Sequence, residues 1–304
     1  MFNMGPDGVR GDELGYPQRQ SGTPSLQTGL PGRSIRKNSV EQVEVRPMAK
    51  VSIATFDKAP VVETPAPASG GVETRAFFNG EGDPIHMHVH RLEPGTSIRL
   101  EGSPTDHLAY VWRGAVDAGG TRLDAGSSVI AEQGSAQVLA ATEAGATLVA
   151  FNLKEQHAHP RAGGHVHLLP ADRVPRHPDI TGEGYVGGGL HADAQCPTCE
   201  LWLHDNNFIV PDKVGTVHSH SEDEVIFVVE GGMKLGSTLY GPGSALAIHA
   251  NTKYGFTTGP DGLTFINFRG TTPTYTSGDG SVTVEEGEFM RAKVGAISYL
   301  EPVV

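Results

Sequence analysis

Two histidines and a glutamate at close spacing are the residues of this sequence best suited to bind a metal ion. His218 and His220 occupy alternate positions, and Glu224 follows four residues later. Alternate side chains of an extended strand point to the same face, so both imidazoles face one way and a short bend can bring the carboxylate beside them. Two imidazoles and a carboxylate suit a divalent ion such as iron, manganese, nickel or zinc. This stretch therefore predicts a metal site.

Short strands separated by glycine turns must position these residues. Residues 225–229 form a continuous apolar run that predicts a buried strand, and Gly231 and Gly232 then turn the chain. A second segment, residues 241–256, follows with its own turn and apolar run. The whole chain contains 40 Gly and 21 Pro among 304 residues. Many turns between short apolar runs favour an all-β fold.

The two segments resemble the two sequence motifs of the cupin superfamily. The first cupin motif is His-x-His, three residues, Glu, six residues and Gly. It is matched in full by His218, His220, Glu224 and Gly231. The second motif is kept less closely: Gly243 fits its opening glycine, but Tyr254 stands where the family has a histidine as its usual fourth ligand. The resemblance implies a small antiparallel β-barrel of two sheets, with the metal near one mouth and bound by His218, His220, Glu224 and Tyr254.

An internal repeat indicates that the chain contains two such barrels. Gly114 and Gly126 are 12 residues apart, and so are Gly231 and Gly243. One offset of 117 also places residues 148–151 on residues 265–268 without a gap. The chain therefore resembles a two-domain cupin, or bicupin, with two tandem double-stranded β-helix (jelly-roll) barrels.

This resemblance predicts four segments. Residues 1–47 have few large apolar side chains and are expected to form a flexible N-terminal arm, or an over-long start. Residues 48–154 would form the N-terminal cupin, residues 155–197 a linker, and residues 198–304 the C-terminal, metal-binding cupin.

The offset also predicts that the first barrel has lost its metal. It places Glu101 on His218, Ser103 on His220, His107 on Glu224 and Gln137 on Tyr254. Serine and glutamine are poor ligands for these ions. We therefore expect one metal-binding half and one supporting half.

The position of Tyr254 leaves three roles open. Its phenol could ligate the metal, since a bound cation lowers a phenol pKa. It could act as a general acid or base beside the metal. It could also only fill the space of the family's histidine. His249 is a reserve ligand, although its parity along the strand differs from that of Tyr254.

Other histidines have simpler interpretations. His86, His88 and His90 alternate and share one strand face, but they spread over about 13 Å, so we expect a polar, partly solvated face rather than a metal site. The linker contains further histidines that are expected to be solvated or to cover the active cavity: His157, His159, His165 and His167.

Cys196 and Cys199 have the spacing of a redox pair or of half a zinc site. A zinc site would need two more ligands, and His191 and His204 are the local candidates. A thioredoxin-like pair should open a helix, whereas the residues that follow alternate as in a strand. Structural thiols are therefore the preferred interpretation, with the redox and zinc interpretations left open.

Four further residues are weaker candidates for substrate contact. Asn267 and Arg269 alternate on the last barrel strand, and Arg269 could hold a carboxylate. Trp202 and Phe227 could stack on a ring, although such residues more often pack in a core.

The formal net charge of −12 disfavours a nucleic-acid or anionic-membrane partner. No apolar run is long enough for a membrane span, no secretory segment is visible, and two cysteines are too few for a disulfide framework, so a cytoplasmic protein is expected. The family implies a homodimer and a small-molecule substrate.

Three functions remain open. A non-haem Fe(II) dioxygenase acting on an aromatic or diketone-like substrate is favoured, with one divalent ion per chain. The alternatives are a non-redox lyase or isomerase that uses Tyr254 and tolerates Zn, Mn or Ni, and a cupin that binds a small ligand without turnover.

Overall fold

The computed structural model describes residues 50–64, 69–83, 85–155, 164–177, 187–194, 196, 198–199 and 201–300. The predicted arm, residues 1–47, lies outside the described residues, as do His157 and His159. Within the described ranges nearly all regular structure is β-strand, which confirms the predicted all-β fold. No helix in these ranges combines the length and the apolar character that crossing a membrane requires.

The first half of the chain contributes nine strands. They are β1 (Val51–Thr55), β2 (Val61–Val62), β3 (Val72–Phe78), β4 (Ile85–Leu92), β5 (Ser97–Glu101), β6 (His107–Ala118), β7 (Thr121–Asp124), β8 (Ser128–Ala131) and β9 (Ala136–Leu153). Three strands and a 3₁₀ turn (Ala171–Arg173) lie between the halves: β10 (Val166–Leu169), β11 (Arg176–His177) and β12 (Gly188–Ala192).

The second half contributes eight strands and a helix. They are β13 (Trp202–Phe208), β14 (His218–His220), β15 (Glu224–Leu235), β16 (Thr238–Tyr240), β17 (Ser244–Ile248), β18 (Thr257–Arg269), β19 (Thr274–Ser277), β20 (Thr283–Glu285) and α1 (Glu286–Val294). Helix α1 has nine residues.

Three sheets contain these strands. The N-terminal sheet has the order β10-β8-β6-β9-β4-β3-β2, with β5 on β9 and β7 on β6. The C-terminal sheet has the order β1-β17-β15-β18-β13-β12-β11, with β16 on β15. A small third sheet, β14-β19-β20, lies beside the predicted metal motif. All the strand pairs that carry the site are antiparallel.

The strands obey the repeat found in the sequence. Strand β6 and strand β15 start 117 residues apart and have the same length. Leu108 pairs with Phe151 in the first half, and Val225 pairs with Phe268 in the second. Both members of each pair are 117 residues from their counterparts, so the two sheets share register as well as order.

The repeated glycines have a steric reason. Gly114 and Gly231 have φ values of 70° and 66°, which favour glycine. A Cβ atom at Gly114 would collide with the carbonyl of Gly145, and one at Gly231 would collide with the carbonyl of Gly262. Each glycine lies inside its strand, where the pairing of β6 with β9 or of β15 with β18 shifts register, so this irregularity requires glycine in both halves and replaces the turn predicted at Gly231.

Strand pairing crosses the predicted segment boundaries in two places. Strand β1, predicted to belong to the N-terminal cupin, pairs with β17 of the C-terminal sheet, with Val51 opposite Ile248. The predicted linker also supplies strands: β10 pairs with β8, whereas β11 and β12 extend the C-terminal sheet. The boundaries at residues 154 and 197 stay a prediction.

A shared apolar core joins the two halves. The rings of Phe151 and Phe268, which are equivalent in the repeat, stack with centroids 4.7 Å apart. Trp112 contacts Phe227 edge-on at 4.8 Å, and its Nε1 donates a hydrogen bond to the carbonyl oxygen of Val229 at 3.2 Å. Residues one repeat apart therefore meet across the interface, as expected for two units related by a local two-fold axis.

The histidine face of β4 is buried, which corrects the prediction of a partly solvated face. His88 and His90 are 7% and 3% exposed, and their rings stack at 6.1 Å. His107 of β6 lies near both rings on this face, whereas His86, near the start of β4, is only partly buried. Burial lowers the pKa of His88 to about 4 and that of His90 to about 3, so both rings are neutral near pH 7.

Candidate metal centre

The structure brings His218, His220, Glu224 and Tyr254 to one end of the second half. His218 and His220 lie on β14, and Glu224 begins β15 after a three-residue bend. Tyr254 lies directly opposite His218, since the two residues exchange both backbone hydrogen bonds at 2.9 Å. The Tyr254 ring is 4.6 Å from that of His218 and 6.3 Å from that of His220. The predicted set is therefore assembled by one short bend and one backbone bridge.

A polar oxygen lies close to the Nδ1 atom of each imidazole. The Nδ1 of His218 lies 2.7 Å from the backbone carbonyl oxygen of Thr216. The Nδ1 of His220 lies 3.0 Å from Oε1 of Glu286. Metal-binding histidines commonly donate one ring N–H to a carbonyl or carboxylate and use the other nitrogen as the ligand. Nε2 is the ring nitrogen that this arrangement leaves for the centre, and in His220 it lies 4.0 Å from Oε2 of Glu224.

The Glu224 carboxylate is buried and held from one side. Its Oε2 accepts hydrogen bonds from Nη2 of Arg269 at 2.7 Å and from Nδ2 of Asn267 at 2.8 Å. Glu224 pairs with Arg269 across β15 and β18, and Ile226 with Asn267, so the antiparallel register sets these contacts. Glu224 is 2% exposed. Tyr254 lies close enough to this carboxylate for its negative charge to raise the pKa of the phenol.

Helix α1 brings a second carboxylate to the site. Glu286, the first residue of α1, contacts His220 and lies 3.3 Å from Nη1 of Arg269. Burial opposes ionisation of Glu286, but the Arg269 charge and the hydrogen bond with His220 lower its pKa to about 2. Two carboxylates, Glu224 and Glu286, therefore face one guanidinium, and this trio carries one net negative charge.

Burial also shifts the other titratable groups, and in each case it favours the neutral form, which suits an imidazole ligand and opposes ligation by a phenolate. It lowers the pKa of His218, against the hydrogen bond to Thr216, and so favours the neutral imidazole. Burial lowers the pKa of His204 to about 4. Burial, and then the negative charge of Glu224, raise the pKa of Tyr254 well above its ordinary value, so the phenol is protonated.

A cavity of about 470 Å³ opens above these residues. Its polar wall includes His204, His218, His220, Tyr254, Asn267, Arg269 and Glu286. Its apolar wall includes Phe208, Phe256, Phe265 and Met290. The volume lies within the range of small-molecule sites, and the mixture of aromatic walls with a few convergent polar groups is typical of them.

Two predicted substrate contacts are wrong. Phe227 is fully buried in the core between the halves, because alternation along β15 turns it away from the face of Glu224. Trp202 is fully buried against Leu190 and Met290, and its Nε1 donates a hydrogen bond to Nδ1 of His204 at 2.8 Å. Trp202 therefore supports a cavity residue and does not line the cavity.

Asn267 and Arg269 do point inward, as predicted, but their hydrogen bonds are made with the chain itself. Arg269 is fully buried and faces both Glu224 and Glu286. Its guanidinium therefore positions carboxylates of the protein, which corrects the prediction that it holds a substrate carboxylate. The reserve ligand His249 lies apart from the residues lining the cavity, with its Nδ1 3.4 Å from Asp223.

The sequence interpretation missed Glu286 and Tyr275, and it assigned His204 to a possible zinc site and not to this cavity. Tyr275 stacks on His218 with ring centroids 5.1 Å apart, because β19 pairs with β14. His204 could have been found, since it alternates with Trp202 on β13 and pairs with Asn267. No local pattern indicates Glu286 or Tyr275, which are far along the chain from the motif.

The tightest group of ligand side chains in the described part of the chain lies elsewhere. Glu132, His167, Cys196 and Cys199 offer ligand atoms within 4.8 Å of one another, and no other group of at least three His, Cys, Asp or Glu among the described residues meets that limit. These four residues therefore form a possible metal site. His191, one of the predicted zinc partners, instead bonds Asp205 at 3.0 Å.

His167, one of the histidines of the predicted linker, has neither of the two roles expected for it. His167 is 6% exposed and lies on β10, paired with Ile130 of β8, so it is neither a solvated loop residue nor a cover for the cavity. His165 packs beside it, with ring centroids 4.9 Å apart.

Comparison with known proteins gives similarity in structure and none in sequence. No family model matches the chain, and no curated protein matches its sequence. Solved structures do match. Protein YlbA from Escherichia coli, described by the family model DUF861, is 13% identical, with 72% of this chain and 90% of that chain covered and a TM-score of 0.54.

Two further matches have different functions. Oxalate decarboxylase from Bacillus subtilis, described with Mn(II) centres, is 14% identical, with 79% of this chain and 82% of that chain covered and a TM-score of 0.52. An 11S globulin from Wrightia tinctoria with an auxin-binding site is 10% identical, with 75% of this chain and 85% of that chain covered and a TM-score of 0.52. At such identities the similarity concerns the fold alone. Together with the repeated strands and the two large antiparallel sheets, it shows that the chain has the two-barrel cupin fold of the bicupins.

Proposed function

We propose that the C-terminal barrel is the active half of a metal-dependent enzyme, a non-haem Fe(II) dioxygenase for a small aromatic or diketone-like substrate. The observation that carries the proposal is the pair His218 and His220, each with an oxygen atom close to Nδ1 and with Nε2 left for an ion beside Glu224. Two imidazoles and one carboxylate on one face of an iron ion leave positions for substrate and dioxygen.

The donor set fits a divalent cation. The trio of Glu224, Glu286 and Arg269 carries one net negative charge in a buried site, and the neighbouring imidazoles are neutral ligands. A bound Fe(II) would supply the redox chemistry that activates oxygen. Arg269 and Asn267 hold one oxygen of Glu224 and leave the other for ligation.

The remaining cavity residues would bind and orient the substrate. Phe208, Phe256 and Phe265 form an apolar wall against which a planar substrate could lie. The same wall keeps water away from the buried carboxylates, which strengthens their electrostatic effect.

A proton-transfer enzyme, a lyase or isomerase, is the second candidate because of Tyr254. Its phenol is buried beside the Glu224 carboxylate, whose charge helps to keep it protonated, and its ring contacts His218. A protonated phenol in that position could donate a proton to a substrate held in the cavity. Zn, Mn or Ni would then serve in place of iron, as a Lewis acid only.

Nitric oxide tests the oxygenase proposal without knowledge of the substrate. Metal-free full-length protein would be loaded with Fe(II) under anaerobic conditions, exposed to nitric oxide and measured by electron paramagnetic resonance. We expect the spin-3/2 signal of an iron–nitrosyl complex, because a three-residue face leaves a position for a diatomic ligand. His218→Ala with His220→Ala should lose the signal, and the matched control His249→Ala should keep it.

Turnover distinguishes the candidates. With a panel of aromatic diols and β-diketones, a dioxygenase consumes O₂, and Tyr254→Phe retains part of that activity. If product instead forms without O₂ and Tyr254→Phe abolishes it while metal content is unchanged, the proton-transfer function is correct. Retention of the nitrosyl signal without His218 and His220 would refute both assignments of the centre.

A further inference from the structure

A second set of metal-ligating side chains lies where the two sheets meet. Glu132 directly follows β8, and His167 lies on the neighbouring β10. Cys196 and Cys199 lie in the connection between β12 and β13 of the C-terminal sheet. The four residues come from three separate parts of the chain, and yet their ligand atoms all lie within 4.8 Å of one another.

The distances within this cluster are close to those of a tetrahedral zinc site. Cys196 Sγ lies 3.8 Å from Nε2 of His167 and 3.8 Å from Oε1 of Glu132. Ligand atoms on a tetrahedral zinc ion, with bonds of about 2.0 to 2.3 Å, are about 3.3 to 3.8 Å apart. Nε2 of His167 and Oε1 of Glu132 are closer, at 2.8 Å, and would separate slightly around an ion.

Several donors converge on a single carboxylate oxygen. Oε1 of Glu132 is contacted by Nε2 of His167, by the hydroxyl of Thr198 and by the thiol of Cys196. Glu132 and Cys199 are 1% and 2% exposed. Burying a carboxylate is expensive unless positive charge or several donors accompany it, and a zinc ion would supply the charge.

The ligand types select the ion. Two thiolates with an imidazole and a carboxylate favour zinc over magnesium, calcium or manganese, which prefer oxygen ligands. Four protein ligands complete a tetrahedral shell and leave no open position, which is the property of a structural site. Cys196 and Cys199 are both free thiols in the structure, so they are available for this role.

We propose that Glu132, His167, Cys196 and Cys199 bind a structural zinc ion that joins the two halves of the molecule, independently of the centre at His218 and His220. The ion would link the end of β8 and strand β10, both in the N-terminal sheet, to the connection between two strands of the C-terminal sheet. Zinc binding releases the two thiol protons and no oxidation takes place.

Cobalt substitution tests this site directly. The chain has 2 Cys, so thiolate-to-cobalt charge-transfer absorption can come only from Cys196 and Cys199. Full-length His218→Ala/His220→Ala protein would be freed of metal and titrated anaerobically with Co(II). We expect one equivalent of Co(II) to give this band together with the strong visible absorption of tetrahedral cobalt. Adding Cys196→Ser and Cys199→Ser should abolish both.

A matched pair of histidine variants localises the ligand. His167→Ala should weaken cobalt binding at least tenfold, whereas His165→Ala, on the adjacent ring, should leave it unchanged. A measurement on the unaltered chain covers the case in which a variant fails to fold: titration of its thiols with a mercurial should release one zinc ion for every two thiols blocked.

Two results would overturn the proposal. One is the absence of thiolate-bound zinc or cobalt in the unaltered chain and in the His218→Ala/His220→Ala variant. The other is a native protein whose mass is lower by two hydrogen atoms and is restored by reduction, because the two cysteines then form a disulfide. Neither result bears on the centre at His218 and His220.

Discussion

At the scale of single residues, Glu286 controls both the orientation and the charge of the proposed centre. Its carboxylate lies 3.0 Å from Nδ1 of His220 and also contacts Arg269. It fixes which nitrogen of His220 faces Glu224. It also supplies one of the two negative charges that lie against the single positive charge of Arg269. Glu286 is therefore a positioning residue and does not itself ligate the ion.

Glu286→Gln is expected to weaken metal binding by about 10- to 100-fold, the usual effect of losing a carboxylate partner of a ligating histidine. Mn(II) is the suitable probe, because it prefers oxygen and nitrogen ligands over thiolates and so ignores the cysteine cluster. The loss of the free Mn(II) paramagnetic signal on titration gives the dissociation constant.

Glu288→Gln is the matched control, since Glu288 is an exposed carboxylate of the same helix. It should leave the Mn(II) dissociation constant unchanged within twofold. If the Glu286 variant bound Mn(II) as tightly as the control, His220 would not depend on this carboxylate and the assignment of Nε2 as its ligand atom would be wrong.

The residues of the centre that could be predicted all come from one short stretch. Spacing alone places His218, His220 and Glu224 together, because a strand and its bend determine their relative positions. Glu286 lies at the same point because β18, β19 and β20 lead the chain back to it, and no short sequence pattern predicts that course. The spacing of Cys196 and Cys199 indicated half of the cysteine cluster, but not its other members, because Glu132 and His167 are far from the cysteines in the sequence.

At the scale of the elements, alternation predicts which side chains share a face but not which face is buried or which sheet a strand joins. The three histidines of β4 do share a face, yet two of them, His88 and His90, are interior and lie near His107 of β6, and only His86 is partly exposed. Strand β1 has an ordinary strand pattern and still pairs with β17 of the other half. The repeat, in contrast, predicted register correctly, because one offset had to satisfy several strands at once.

The buried face of β4 makes the stability depend on pH. The pKa of His88 is about 4 in the folded state, against an ordinary value of 6.5, because burial penalises the charged ring. The unfolded chain thus binds the proton first as the pH falls. Above about pH 6.5 His88 does not change the free energy of unfolding with pH. Between about pH 6.5 and 4 its protonation in the unfolded chain lowers that free energy, by about 2 kcal/mol at pH 5.

His88→Gln should therefore reduce the loss of stability between pH 7.5 and pH 5 by about 2 kcal/mol, measured by denaturant unfolding at both values. The groups facing His88 are His86, His90 and His107, so no carboxylate compensates its charge. His249→Gln is the control, because that ring is one-third exposed. An equal pH dependence in the His88 variant and wild type would show that His88 can be protonated without penalty in the folded state.

At the scale of the whole molecule, the contacts between equivalent residues couple the two halves. Phe151 stacks on its equivalent Phe268, and Trp112 donates a hydrogen bond to its equivalent Val229. Strand β1 also extends the sheet of the opposite half. The N-terminal half, which lacks the predicted metal motif, therefore supplies part of the apolar core on which the C-terminal half packs. A supporting role of this kind explains why the fold of the first barrel persists although its positions equivalent to His220 and Tyr254 are serine and glutamine.

Phe268→Ala tests this coupling, because it removes a fully buried ring at the interface. We expect the free energy of unfolding to fall by about 3 to 5 kcal/mol, with both halves losing structure together.

The chain has 2 Trp, one in each half. Trp112→Phe and Trp202→Phe therefore leave a single fluorescent reporter in the C-terminal and the N-terminal half respectively. In each background, fluorescence and far-ultraviolet circular dichroism should give one coincident guanidinium transition, and Phe268→Ala should shift both by the same amount. Val282→Ala, at a half-exposed side chain, should change stability by less than about 0.5 kcal/mol. A transition that moves for Trp202 but not for Trp112 would mean that the halves unfold separately, since only the half that contains Phe268 would then depend on it.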